Sequence, residues 1–405
     1  MSIQKKVLIV YPDMIIGGST TALLAFLRKI DYSAVSVDLL LLQNGDYRLE
    51  ELPPQVNVLR DAAKTDLLSA LTRLRKICNF VFTGKMLAAL IQTCKQKRRP
   101  FGAFFSAAVN QMLARIHCEM SRELEQKYDL AISYLELWPT VYTAEKVKAK
   151  EKVAWVHVDY PAARLNPALD VQYYSKMERI FCVSPECAKN FKKCFPQLQD
   201  RVSWTENLID EEGICAKAEL PETLDAAFAD YAGFRIVTVA RLDNYTKGLD
   251  RIASITEKLK RDGLDFRWYL VGGGPGEAEL TKQIAQSGIA DRLILLGAKN
   301  NPYPYMAGAD LFVLASRNEG KPVTVTEAQI LHTPILVTEY AAAAQQLANS
   351  GGIIVPNDEN VLYEKLKLVL QGKEKATKSK YIPTENNCAL KELGLQTGMG
   401  RRPKV

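Results

Sequence analysis

A chain of 405 residues, 47% apolar and 24% charged, has the make-up of a soluble globular protein and the length for two or three domains. Its formal net charge of +7 favours anionic ligands or surfaces, yet no RRM, zinc-finger or homeodomain pattern accompanies it, so nucleic acid is not expected as a partner. The eight cysteines form no CxxC pair and the three histidines lie far apart, which argues against a zinc site or a disulfide scaffold and for reduced thiols in a cytoplasmic protein.

The apolar run after MSIQKK is too short for an export signal, and no stretch offers the roughly 18 apolar residues of a membrane span. The pattern predicts strands at 7–11, 35–42, 56–59, 130–134, 153–158 and 180–184. Between the first two, IIGGST is a glycine turn ending in hydroxyls suited to helix capping, and apolar residues follow at helical spacing over 20–30. Residues 61–127 break this rhythm and read as amphipathic helices. From 64 to 115 there are ten Lys or Arg against one acid, Asp66, with phenylalanines interleaved. That composition suits an element resting on an anionic membrane surface, and equally a helical insertion with a solvated basic face. An acidic, alanine-rich linker is predicted at 211–232. A second series of strands follows at 235–240, 266–271, 293–296, 311–315, 335–338 and 353–355. Such alternation predicts an α/β protein of two doubly wound, Rossmann-like domains, 1–210 and 233–372, facing across a cleft where ligands meet the carboxyl ends of the strands. Residues 373–405 form a polar, basic tail whose last nine residues have little to pack with.

The chemistry concentrates at strand exits. SRNEGKP leaves the strand at 311–315 and carries Glu319, Gly320 and Lys321; Pro322 suits the start of a helix that holds Glu327. Free N–H groups at that helix start favour a phosphate, and each carboxylate can accept hydrogen bonds from a sugar's hydroxyls. A ligand with phosphates in the middle and a sugar at each end, a nucleotide sugar, would use both glutamates. VTVARLDNYTKGLDR supplies Arg241 and Lys247, a fork and a point charge for the diphosphate. No Asp-x-Asp occurs, so a divalent metal bridging the phosphates has no evident holder, and no cofactor beyond the donor itself is expected. In VGGGPGE, Glu277 stands where a dinucleotide fingerprint wants glycine. Gly273 and Gly274 there either bring backbone close to a base or phosphate or simply make a tight turn. Gly17 and Gly18 could offer amides to the transferred sugar. His157, in WVHVDY, stands at a strand exit as either a sugar contact or a structural residue, with Asp159 and Tyr160 beside an acceptor pocket. His117 and His332 read as structural.

Together these motifs resemble the family 4 glycosyltransferases of the GT-B fold, which are retaining, metal-independent and use nucleotide sugars. The resemblance is strongest over 235–356, through Arg241-x5-Lys247, GGGP and Glu319-x7-Glu327, and looser in AWVHVDY and the run ending near Asn207. It implies that Arg241 and Lys247 bind the donor diphosphate, Glu319 the donor sugar and Glu327 the ribose. Gly17 and Gly18 would close over the donor, and His157 would contact the sugar and help stabilise the transition state. It also implies a UDP-linked donor by family habit, a glycan or polyprenyl-linked acceptor, and a place in bacterial cell-surface polysaccharide synthesis at the inner face of the membrane. Where the family often has glycine this chain has His332, so the turn there is expected to differ. The stretch YIPTENNCALKELGL is the candidate for the family's helix returning to the first domain. Two alternatives stay open: a non-catalytic glycosyltransferase-like partner subunit, and a sugar-nucleotide epimerase of the same fold.

Overall fold

The computed structural model describes residues 4–43, 48–60, 101–220, 224–243, 245–348, 350–382 and 389–396. The chain forms two compact units: Met1–Ile15 with Leu23–Leu208 and Glu385–Val405, and Ile16–Ala22 with Ile209–Thr384.

The first unit is built on seven parallel strands: β1 (Lys5–Tyr11), β2 (Val35–Leu41), β3 (Val56–Leu59), β4 (Lys127–Ser133), β5 (Lys148–Val156), β6 (Arg179–Cys182) and β7 (Val202–Trp204), in the order β3-β2-β1-β4-β5-β6-β7. The central strands read as continuous apolar runs because both faces are covered. Val7 to Val10 are fully buried, as are Leu130 to Ile132. The sequence did not suggest β7, a three-residue piece at the end of the sheet in which only Val202 is buried.

The second unit carries six parallel strands: β8 (Phe234–Val239), β9 (Phe266–Val271), β10 (Leu293–Gly297), β11 (Leu311–Leu314), β12 (Ile335–Thr338) and β13 (Ile353–Val355), in the order β10-β9-β8-β11-β12-β13. One apolar layer packs Ile252, Leu259 and Leu366 against Trp268 and Leu311; the other packs Met306, Ala328 and Leu347 against Tyr269 and Phe312. The helix Leu249–Arg261 shows why its sequence folds this way: Leu249, Ile252, Ala253, Ile255, Thr256 and Leu259 line its buried face, at spacings of one to three residues. In each sheet the strand order reverses beside the first strand, so β1 neighbours β4 and β8 neighbours β11. That reversal opens a crevice at the strands' carboxyl ends.

One expectation needs revision. The stretch 211–232 is no free linker, because the helices Glu211–Ala218 and Ala226–Ala229 put Ile214 and Phe228 into the core of the second unit. Of the basic segment, 61–100 lies outside the described residues. The helix Phe101–Met120 that ends it is tied into the first unit, where Gln111 Nε2 donates to Asp170 Oδ2 at 2.7 Å. The tail divides: Ser379 is buried in the second unit and donates to Thr333 O at 2.6 Å. The helix Ala389–Glu392 belongs to the first unit.

That terminal helix is held by Lys5 Nζ to Leu393 O at 2.6 Å, Arg179 Nη1 to Glu392 O at 2.9 Å and Asp31 N to Leu395 O at 2.9 Å. Leu390, Leu393 and Leu395 are buried beneath it. Ending the chain at residue 382 is expected to cost the first unit about 5 kcal/mol, from three lost leucine side chains at roughly 1.5–3 kcal/mol each. Urea unfolding of the truncated and full chains measures this.

Candidate functional site

In the second unit the two predicted loops meet at the switch point. Lys247 leaves β8, Glu319 leaves β11, and Lys247 Nζ lies 2.6 Å from Glu319 Oε1. Ser316 Oγ donates to the same oxygen at 2.7 Å. The loops are cross-linked: Arg317 N donates to Thr246 O at 2.8 Å, and the Arg317 guanidinium holds Asp250 with two bonds of 2.7 and 2.6 Å. The Lys247 and Glu319 side chains are only 21% and 11% exposed, so their charges interact through a poorly hydrated medium. Arg241 is further out, 59% exposed, with Nη2 3.5 Å from Asp243 Oδ2. Gly320 is buried beside Glu319, and Lys321 is partly buried.

Gly248 makes this meeting sterically feasible. It has φ +68°, and a Cβ there would lie 2.3 Å from the carbonyl oxygen of Ala315, at the end of β11. Gly248→Ala must strain or displace the backbone next to Lys247. It is expected to cost about 2–4 kcal/mol, measurable by thermal or urea unfolding.

The GGGP turn divides between the two readings left open by the sequence. At Gly274 an added Cβ would come 2.6 Å from Leu242 O, so that glycine serves the turn. At Gly273 the nearest atom would be Ala298 Cβ at 3.5 Å, an ordinary contact, which leaves room for close approach.

Glu327 sits in the helix Val323–Ile330, which begins just after Pro322. It is buried and accepts a hydrogen bond from the Tyr303 hydroxyl at 3.0 Å. Ile16–Ala22 group with this unit. A Cβ on Gly18 would lie 3.1 Å from Val323 Cβ, whereas Gly17 faces open space. His332 keeps the left-handed turn that a glycine would favour, with φ +56°, and its Nδ1 lies 3.0 Å from Ser379 O. The imidazole's bond to the distant Ser379 segment helps hold the turn.

In the first unit His157 stands at the exit of β5. Part of the residue is exposed, but both ring nitrogens are shut away from solvent and neither has a hydrogen-bond partner among the described residues. Burial pushes the ring's pKa down to about 3, so the imidazole is neutral at physiological pH. Asn207 lies near enough to offset part of this, although its Oδ1 meets no hydrogen-bond geometry. A neutral imidazole carries one donor and one acceptor nitrogen. The Tyr134 ring packs against it, with centroids 5.1 Å apart.

Asp159 accepts from Asn190 Nδ2 at 3.2 Å. Tyr160 is fully buried and donates to Asp170 Oδ2 at 2.8 Å, which makes it part of the core rather than of an acceptor pocket. Ser316, Gly248, Tyr303 and Glu136 were not singled out from the sequence. Gly248 alone left a trace, as a glycine directly before a helix.

Residues 229–382 match the family model described as glycosyl transferases group 1. Over 168 residues the chain is 30% identical to an N-acetylgalactosamine-N,N'-diacetylbacillosaminyl-diphospho-undecaprenol 4-alpha-N-acetylgalactosaminyltransferase of Campylobacter jejuni, covering 41% of this chain and 43% of that protein. It is 25% identical over 253 residues to the amylovoran biosynthesis glycosyltransferase AmsK of Erwinia amylovora, covering 55% of this chain and 62% of that one. The chain thus spans less than two thirds of the length of these relatives. The structure of Anabaena Alr3699/HepE in complex with UDP-glucose superimposes with a TM-score of 0.64 at 14% identity, over 96% of this chain and 95% of that one. The fold is therefore α/β of the GT-B type, with two Rossmann-like units. The match to the glycosyl transferases group 1 model falls within the second unit.

Proposed function

We propose that the protein is a retaining, family 4 glycosyltransferase that moves a sugar from a nucleotide sugar to a lipid-linked glycan during bacterial polysaccharide synthesis. The observation that carries this reading is the 2.6 Å Lys247–Glu319 pair at the switch point of the second unit. An ammonium for the diphosphate and a carboxylate for the sugar stand side by side there.

In this reading Lys247 and Arg241 neutralise the diphosphate as it leaves, which is where negative charge develops. Glu319 accepts from the donor sugar's hydroxyls and Glu327 from the ribose. The bond from the anomeric carbon to the phosphate oxygen breaks, and the acceptor oxygen bonds to that carbon on the same face. The acceptor's proton passes to the departing phosphate oxygen. His157, neutral, contacts the sugar. Arg241 and Lys247 supply the cationic charge, so no metal is required.

A UDP donor is supported by the UDP-glucose bound to the Anabaena structure. A polyprenyl-linked acceptor is supported by the diphospho-undecaprenol in the Campylobacter protein's name. Work at the cytoplasmic face of the membrane follows from such an acceptor. Among the described residues no helix is long and apolar enough to cross a membrane. In this reading the basic segment 64–115 serves as a peripheral contact with the anionic surface.

The test is transfer of radiolabel from a panel of UDP-sugars to undecaprenyl-diphosphate-linked saccharides, with the product's anomeric configuration read by NMR. Retained configuration in a chelator-treated reaction supports the proposal. Conversion of the UDP-sugar without any acceptor product would favour an epimerase instead.

A further inference from the structure

We infer that Glu136 is a positioning residue that seats His157 by holding the main chain of the β5 exit. This rests on the reading of His157 given above. Its first basis is geometric: one carboxylate oxygen, Glu136 Oε1, accepts from both the His157 and the Val158 backbone N–H groups, the latter at 2.9 Å. Glu136 is 9% exposed, so the clamp is shielded from competing water.

The second basis is what the His157 ring lacks. A histidine that must keep one orientation is commonly fixed through its second ring nitrogen by a carboxylate or carbonyl. Here neither ring nitrogen makes such a bond among the described residues, Asn207 lying near without meeting its geometry. The carboxylate nearby is spent on the backbone, and the ring is steered by that backbone and by the Tyr134 face.

The third basis is the turn that carries Glu136. Tyr134 N donates to Val10 O at 3.1 Å, and Thr140 Oγ1 donates to Leu135 O at 2.9 Å. Between them Leu137 adopts φ 62° and ψ −121°, a conformation that a residue with a branched side chain takes only when its surroundings impose it. Strain of this kind, next to a buried carboxylate aimed at a strand exit, marks a turn built to place Glu136.

The test is imidazole NMR on the full chain with labelled histidine. With three histidines the spectrum is small, and His157→Asn identifies its signal by loss. Glu136→Ala should shift or broaden the His157 resonances while leaving His117 and His332 in place. Glu136→Gln keeps an oxygen for both amides and should restore them. If Glu136→Ala does not fold, Glu136→Asp, which withdraws the carboxylate by one methylene, should produce the same displacement. Unchanged His157 resonances in a folded Ala or Asp variant would overturn the inference.

Release of UDP from UDP-glucose provides the second readout. Glu136→Ala should lower kcat by about 10–100-fold with the Kd for UDP unchanged. Added to His157→Asn it should cost nothing further. A full additional loss in the double variant would count against it. Wild-type turnover in His157→Asn alone would instead remove the role of His157, and the NMR result would still decide the clamp.

Discussion

Lys247→Ala is expected to lower kcat/KM for the donor by about 100- to 1,000-fold, equivalent to about 3–4 kcal/mol of lost transition-state stabilisation. The fold should survive, because Glu319 keeps the Ser316 hydroxyl at 2.7 Å and the loops remain tied through Arg317 and Asp250. UDP affinity should fall with turnover, since the ammonium meets the diphosphate in the ground state and in the transition state alike. Glu319→Ala should cut turnover as strongly but spare UDP binding, since its carboxylate serves the sugar. The two variants therefore separate by comparing UDP titrations with steady-state rates. Equal UDP affinity in wild type and Lys247→Ala would remove the assignment of the phosphate site.

The second large effect concerns pH, where two buried groups in the first unit oppose each other. The folded-state pKa of His157 is depressed from 6.5 to about 3, so the unfolded chain binds the proton first. Its contribution is fully present above pH 6.5 and is lost as pH falls. Between pH 7 and pH 4.5 that loss is about 2–3 kcal/mol.

Asp170 is raised by burial from 3.8 to about 6, while Tyr160 and Gln111 hold its charged form by hydrogen bonds. Its contribution is present below pH 3.8 and is lost as pH rises through about 6. Over the same interval, acidification therefore returns about 2 kcal/mol. Burial raises Glu136 too, which acts in the same sense as Asp170.

Wild type should hide most of this, and single variants should reveal it. Relative to wild type, His157→Asn should gain stability on acidification and Asp170→Asn should lose it. Urea midpoints at the two pH values read the difference. Parallel shifts of both variants would contradict the assigned burial.

The strands were legible because each is a short apolar run bounded by turns, and the β-α alternation leaves few arrangements. Lys247 sat in a readable loop, and so did Glu319. What stayed hidden depends on contacts distant in sequence. Nothing near Glu136 announces that it reaches the β5 exit, and Tyr303 meets Glu327 across 24 positions. The 211–232 stretch misled because its acids and alanines look like a linker, while the few apolar residues that dock it, Ile214 and Phe228, are sparse. The left-handed turn at His332 was hidden for another reason. The expectation rested on glycine's freedom, and the ring's contact with Ser379 O supplies a substitute no local pattern displays.

Isothermal calorimetry of the full chain with UDP, GDP and ADP, each in the presence of a chelator, addresses the central claim most directly. The account predicts saturable binding of one diphosphate nucleotide without metal, lost in Lys247→Ala and kept in Glu319→Ala. Absence of binding by all three, or binding indifferent to Lys247, would contradict it.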